Sequence, residues 1–202
     1  AAGGRTLNPA EIDAAIGTST EELRHAGAEP ARRALEKRLA NLWVLRARDF
    51  SRSGRIAEAQ DAYDRALLYV PGFGPALVEQ GWLQLEGGKP DLARGLAETA
   101  LAQDPDEPHA RQLHGEILYR DNRLEDALAD FSAASAKLPG DAALARRVEK
   151  LRKELAAERD YRRADSSHFV LRFDGQRDES VGNLLLDEME RQLDDLRREI
   201  DV

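Results

Sequence analysis

Three stretches decide the reading of this chain: GRIAEAQDAYDRALLYVP at residues 54–71, GKPDLARGLAETALAQDP at 88–105 and NRLEDALADFSAASAKLP at 122–139. Each starts thirty-four residues after the last, so Pro71, Pro105 and Pro139 stand in register. Ala59, Ala93 and Ala127 share a column, as do Ala66, Ala100 and Ala134, Tyr63, Ala97 and Phe131, and Gly54, Gly88 and Asn122. Upstream of each stretch, Ala47, Gly81 and Gly115 keep the same step. Small residues recur where two helices must approach closely, a larger apolar one where the second helix meets the next unit, and proline where that helix must stop. Thirty-four residues is the period of a helix-turn-helix repeat.

Working outward, the units run 40–73, 74–107 and 108–141. In each, a first helix ends near the Gly or Asn of the fifteenth column and a second begins at Arg55-Ile56, Lys89-Pro90 or Arg123-Leu124. Pro90 sits in a first turn, where a missing amide hydrogen costs little. This pattern resembles the tetratricopeptide repeat over residues 40–141, and the resemblance implies an all-α helical-hairpin superhelix with helical caps. The seventh column, leucine in that family, holds Arg46, Gln80 and His114, and the fourth column of the last unit holds Arg111.

The flanks read differently. Residues 1–29 form a helical lead with two short helix starts: Asn8 caps, with Pro9 behind it and Glu11 at capping-box spacing, and Thr18 with Glu21 repeats that spacing. Gly17 and Gly27 are expected to end the two pieces. Pro30 opens a long helix carried to Ser53-Gly54 by Leu35, Leu39, Leu42, Trp43, Leu45, Ala47 and Phe50, so the array with its entry helix spans 30–141. Residues 142–164 read as a capping and linker helix, with Leu144, Val148, Leu151 and Leu155 on one face and Glu149 four residues before Lys153. The same stripe is also compatible with a short coiled coil.

After Asp165-Ser166-Ser167 the rhythm changes to two. Phe169, Leu171 and Phe173 alternate with His168, Val170 and Arg172, giving one strand over 168–173, the single convincing strand of the sequence. Asp174-Gly175 turns the chain into an amphipathic helix carrying Leu185, Leu186, Met189, Leu193, Leu196 and Ile200. A lone strand leaves its backbone groups unsatisfied, so residues 165–202 are expected to open an incomplete second domain, or to add the strand 168–173 to its copy in another chain. The order Ser-His-Phe-Val-Leu-Arg-Phe-Asp-Gly followed by an acidic amphipathic helix resembles the opening of gluzincin-like (peptidase MA-type) metallopeptidase domains that bacteria attach to such arrays. That resemblance, over 166–200, implies the amino-terminal, substrate-recruiting part of a larger zinc metallopeptidase; the His-Glu-x-x-His helix has no counterpart here, so no catalytic residue is carried over.

In the tetratricopeptide family the first helices line a concave groove. Carried over by column, the resemblance places Asn41, Val44, Arg48, Ser51 and Arg52 there from the first unit, Pro75, Val78, Trp82, Leu85 and Glu86 from the second, and His109, Gln112, Glu116, Tyr119 and Arg120 from the third. Trp82 either anchors a partner or packs on the preceding helix, and Trp43 stands in a core column. The Lys/Asn carboxylate clamp of chaperone-tail binders is replaced by Val44 and Arg48. The groove instead offers an apolar centre near Arg48, Arg52 and Arg120, suiting a peptide with hydrophobic anchors and a few acids unless Glu86 and Glu116 pair with those arginines.

Composition bounds the rest. With 30 Lys+Arg against 38 Asp+Glu, the net charge of −8 argues against a general nucleic-acid binder, which needs cation excess to release phosphate counterions. No cysteine is present, which removes thiolate metal sites, disulfides and cysteine nucleophiles. His109 and His114 lie five apart, off the three-or-four spacing of two ligands on one helix face, and His25 and His168 are isolated, so no metal and no cofactor is expected. No apolar run is long enough to span a membrane. Ala1-Ala2-Gly3-Gly4 lacks an initiator methionine and a targeting stretch, as in a processed product or excised fragment. The expectation is a non-enzymatic scaffold binding a protein or peptide, of bacterial origin, in the cytoplasm or the periplasm and cell envelope.

Overall fold

The computed structural model describes residues 7–174 and 179–200. The chain divides into two compact units, Ala1–Ala145 and Arg146–Val202. Among the described residues the first holds α1 (Pro9–His25), α2 (Glu29–Arg52), α3 (Ile56–Tyr69), α4 (Gly74–Glu86), α5 (Pro90–Gln103), α6 (Pro108–Arg120) and α7 (Leu124–Lys137). α8 (Ala142–Asp160) crosses the boundary and is followed by β1 (Tyr161–Asp165), β2 (Val170–Asp174) and α9 (Glu179–Ile200). This is the all-α helical-hairpin fold that the thirty-four-residue step implies.

Every first helix stops the same way. Gly54, Gly88 and Asn122 adopt φ of 73°, 73° and 60°, in the left-handed region. The next amide then reaches back across the last turn: Arg55 N donates to Phe50 O, Lys89 N to Gln84 O and Arg123 N to Leu118 O, each at 2.9 Å. This is the six-to-one bond of a Schellman stop, which satisfies carbonyls that a helix end would otherwise orphan. The second helices end ahead of the proline column. Phe73 N donates to Val70 O and Glu107 N to Asp104 O, both at 3.1 Å, and Asp141 N to Leu138 O at 3.0 Å. Each is a tight turn with proline at its second position, and Gly72 at φ 83° supplies the third position of the first.

The recurring columns form the core. Ala59, Ala93 and Ala127 are wholly buried, as are Ala47, Ala66, Ala97 and Ala134, with Tyr63 and Phe131 almost so. They close the hairpins α2–α3, α4–α5 and α6–α7, while α2, α4 and α6 adjoin one another along the first-helix face. A Cβ at Gly81 would collide with Leu113, and one at Gly115 would lie 3.1 Å from the Phe131 ring. The column must stay small for that reason.

The departures in columns four and seven are absorbed by polar partners. Gln80 Nε2 donates to Asp64 at 2.7 Å, and Arg46 bonds Asp13 and Asp49 while lying 4.2 Å over the Phe50 ring. His114 and Arg111 both bond Asp130, at 2.6 and 2.9 Å, so a buried carboxylate on α7 replaces apolar contact with a charged knot. These polar side chains fasten neighbouring helices at both columns.

Four expectations need correction. α1 runs unbroken through Gly17: Asn8 and Glu11 form the capping box, but Thr18 Oγ1 bonds the Ala14 carbonyl one turn back instead of capping a second helix. Gly17 meets no side chain within 4 Å and is tolerated inside the helix. Leu45 is exposed on α2 rather than part of its buried stripe. The strand expected to be alone has a partner: β1 pairs antiparallel with β2, Tyr161 opposite Asp174 through Asp165 opposite Val170, and Ser166 N closes the connection on Phe169 O at 2.9 Å. Its backbone groups on that edge are therefore satisfied within the chain. β2 also begins at Val170 rather than 168. The turn at Gly175 lies outside the described residues.

In the second unit α9 contacts both strands. Leu186 is buried, and Glu190 fastens the strand connection: its carboxylate accepts from Ser166 Oγ at 2.6 Å and His168 N at 2.8 Å and meets His168 Nδ1 at 2.7 Å. Those bonds, Ser166 first and then His168, hold its pKa down at about 2.

Candidate functional site: a groove on the first-helix face

The first-helix face of the repeat unit carries two neighbouring cavities. One, of about 360 Å³, is lined by Gly74, Pro75, Val78, Glu79 and Trp82 of α4, by Arg48 of α2 and by Glu107 and His109 at the start of α6. The other, of about 240 Å³, is lined by Arg48, Ser51, Arg52, Tyr63, Glu79, Trp82, Leu83 and Glu86. Arg48, Glu79 and Trp82 border both, and the half-buried Trp82 ring forms their shared wall. α4 sits between α2 and α6, so a residue in the middle of α4 is necessarily central to this face.

Electrostatics refine the picture. Arg48 meets the Glu79 carboxylate as a fork, Nε bonding both oxygens at 3.0 and 2.8 Å and Nη2 joining Oε1. That geometry is the strong, bidentate form of the ion pair and raises the Arg48 pKa, chiefly through the hydrogen bond. Tyr63 Oη donates to Glu79 Oε2 at 3.2 Å, and burial, then Glu79, pushes the phenol well above its ordinary value. Glu107 caps α6 by accepting from Ala110 N. The site is thus an aromatic and aliphatic surface beside a neutralised charge pair.

The structure sorts the groove candidates into three groups. Arg48, Ser51, Arg52, Pro75, Val78, Trp82, Glu86 and His109 come together around the two cavities. Val44 and Leu85 do not line them: both are buried in the core, Val44 with Ala40 and Ala47 and Leu85 with Ala93 and Leu113. Asn41, Gln112, Glu116, Tyr119 and Arg120 lie off both cavities. Asn41 bonds the Lys37 carbonyl, Gln112 bonds His109 and Asp141, and Arg120 bonds Glu116 and the Leu85 carbonyl.

Sequence reasoning missed Glu79, Tyr63 and Glu107. Glu79 lies between groove columns, and its role depends on meeting Arg48 thirty-one residues away, which no local pattern encodes. Trp43, assigned to the core, is only partly buried and lines a third cavity of about 270 Å³ with Asp13, Arg46, Phe50 and Arg65, whose guanidinium lies 4.7 Å over its ring. Among the described residues no helix is long and apolar enough to cross a membrane.

The comparisons agree with the fold of the repeat unit. The tetratricopeptide repeat family matches residues 78–142. A cytochrome c-type biogenesis protein, CycH of Rhizobium meliloti (strain 1021), is 34% identical over 124 residues, covering 57% of this chain. The match spans 31% of that relative's length. The first tetratricopeptide domain of Spaghetti (RPAP3), solved bound to HSP90 peptide SRMEEVD, superposes with a TM-score of 0.56 at 18% identity over 59% of this chain and 98% of its own. The first such domain of human RPAP3 gives 0.53 at 18% identity over 58% and 92%. The Arabidopsis OM64 domain gives 0.53 at 17% over 59% and 98%. The metallopeptidase resemblance of residues 166–200 gains no support from these matches. The repeat unit thus has the helical-hairpin fold of tetratricopeptide proteins, and that family's own pattern is matched over residues 78–142.

Proposed function

We propose that the repeat unit is a protein-interaction scaffold that holds a peptide segment across α2, α4 and α6, with an apolar side chain of the partner seated against Trp82. The fold suggests protein binding, and the observation that carries the finer reading is the position of Trp82 as the common wall of two cavities at the middle of the first-helix face. Large amphipathic rings at the centre of a surface are the usual hot spots, because they bury area with few frozen torsions. A neighbour of the same fold is solved with a peptide, which supports the class of ligand.

Acidic residues in the partner lose the support that three arginines gave them. Arg48 is committed to Glu79 and Arg120 to Glu116. Among the described residues Arg52 lines the groove without an ion pair, and Glu86 and Glu107 line it too. The partner's fit therefore rests on apolar contact.

Selection from a random peptide library displayed on phage tests this reading. Selected peptides are expected to bind the parent chain and to lose about 2 kcal/mol, roughly thirtyfold, against Trp82→Ala. Arg65→Ala, at the Trp43 cavity, is expected to leave affinity unchanged. Equal binding by Trp82→Ala and the parent defeats the proposal. A second reading, a part in cytochrome c biogenesis, rests on the identity with CycH. Unchanged levels of c-type cytochromes in cells lacking the gene would remove it.

A further inference from the structure

The cavity of about 270 Å³ at Trp43 is framed by Trp43, Arg46 and Phe50 of α2 and by Glu58, Asp61 and Arg65 of α3, and Asp13 of α1 adds a third carboxylate. Both triplets step by three or four residues, so each lies on a single side of its helix. Guanidinium groups lie over both rings: Arg46 and Arg55 over Phe50 at 4.2 and 4.4 Å, and Arg65 over Trp43 at 4.7 Å. Two of the three are held there by carboxylates, Arg46 by Asp13 and Asp49 and Arg55 by Glu58. Arg65 differs: it is exposed and, among the described residues, forms no ion pair. Asp61, four residues before it at the spacing of a helical salt bridge, forms none either. The repeat does not require this arrangement. One unit on, the same columns hold Leu77, Gln80 and Gln84, all buried, and Leu92, Gly95 and Thr99, with neither ring nor charge.

We propose that this cavity seats an arginine side chain of a partner protein, whose guanidinium replaces Arg65 on the Trp43 ring and pairs with Asp61. Leaving the ring costs Arg65 one exposed cation–π contact, whereas the incoming cation gains the ring together with a carboxylate that Arg65 does not use. Charge favours a cation, because Asp13, Glu58 and Asp61 line the cavity against Arg46 and Arg65 alone. Arginine fits better than lysine, since a planar guanidinium stacks on an indole and forks onto a carboxylate at once. Clefts for drug-sized ligands span about 300–1,000 Å³, so a cavity of this size suits a single side chain. It shares no lining residue with the two Trp82 cavities, and neither reading depends on the other.

The Trp82→Phe chain, with Trp43 as its sole indole, reports this seat directly. Titration with N-acetyl-L-arginine amide at constant ionic strength is expected to change its emission saturably, with a Kd on the order of millimolar for so small a probe. In the parent chain the Trp43 Nε1 proton resonance is expected to shift over the same range. The citrulline analogue, close in shape but uncharged, is expected to give no saturable change, and the lysine analogue to bind more weakly. Asp61→Asn is expected to weaken binding roughly threefold. Arg65→Gln, which vacates the ring, is expected to tighten it roughly threefold, a gain that a structural role for Arg65 does not produce. Circular dichroism confirms that each variant keeps its helices. No saturable response by either probe of Trp43, an equal response to arginine and citrulline, or Arg65→Gln binding no tighter than its parent overturns the proposal. Free L-arginine binding more tightly than the blocked amide overturns it too, since the ligand would then be the amino acid and not a partner's side chain.

Discussion

Residues up to Ala145 and those from Arg146 onward solve the same problem with opposite outcomes. In the repeat unit, Leu39, Leu113 and Ile117 are wholly buried because alanine and glycine columns let helices approach until no gap remains. In the second unit, α9 carries an apolar stripe wider than a two-stranded sheet of five-residue strands covers, so Leu186 is buried while Leu184 and Leu185 beside it are exposed. A repeat supplies its own neighbour by repetition, whereas a single helix on a small sheet does not. Closure in the first unit and exposure on α9 in the second follow from that difference.

The sharpest way to break this contrast is truncation. Ile117→Ala in the closed core is expected to cost about 3 kcal/mol of stability in urea unfolding. Leu184→Ala, at a 67% exposed position, is expected to stay within about 0.5 kcal/mol. Equal costs would erase the distinction. Next in size, Gly115→Val should cost about 2 kcal/mol, since its side chain must displace the Phe131 ring. A neutral result would show that the small column is dispensable.

Acid sharpens the comparison in the second unit. The Glu190 pKa is depressed from 4.5 to about 2, so its ionised bonds to Ser166 and His168 contribute fully above pH 4.5 and are lost as pH falls through about 2. Carbon NMR of the Glu190 carboxyl is expected to titrate near the lower value. A midpoint near 4.5 would mean the clasp does not persist in solution. The smallest effect is a gain: Gly95 lies inside α5, and a methyl group added there would meet nothing within 4 Å, so Gly95→Ala should stabilise by about 0.7 kcal/mol. Destabilisation there would mean that its surroundings are not open.

Legibility followed the range of the interactions. The helix stops at Gly54, Gly88 and Asn122, the Asn8 cap and the alanine columns were readable because each is set by residues within a few positions or by strict repetition. Glycine misled at position 17, where propensity alone does not break a helix that has good formers on both sides. β1 was hidden because Tyr161-Arg-Arg-Ala-Asp continues the charged run of α8 without an apolar alternation. At the site, the family columns located Trp82 and Arg48 but not the Glu79 carboxylate that neutralises Arg48. That pairing changes the chemistry of the groove, and it exists only once α2 and α4 are side by side.

The chain's two tryptophans permit a direct test of the groove as the recognition surface. Trp43→Phe leaves Trp82 as the sole indole, and Trp82→Phe leaves Trp43. Titrating a phage-selected peptide into each while following tryptophan emission is expected to shift the spectrum of the Trp43→Phe chain and leave that of the Trp82→Phe chain unchanged. A shift that follows Trp43 instead would place binding at the other cavity and contradict the account.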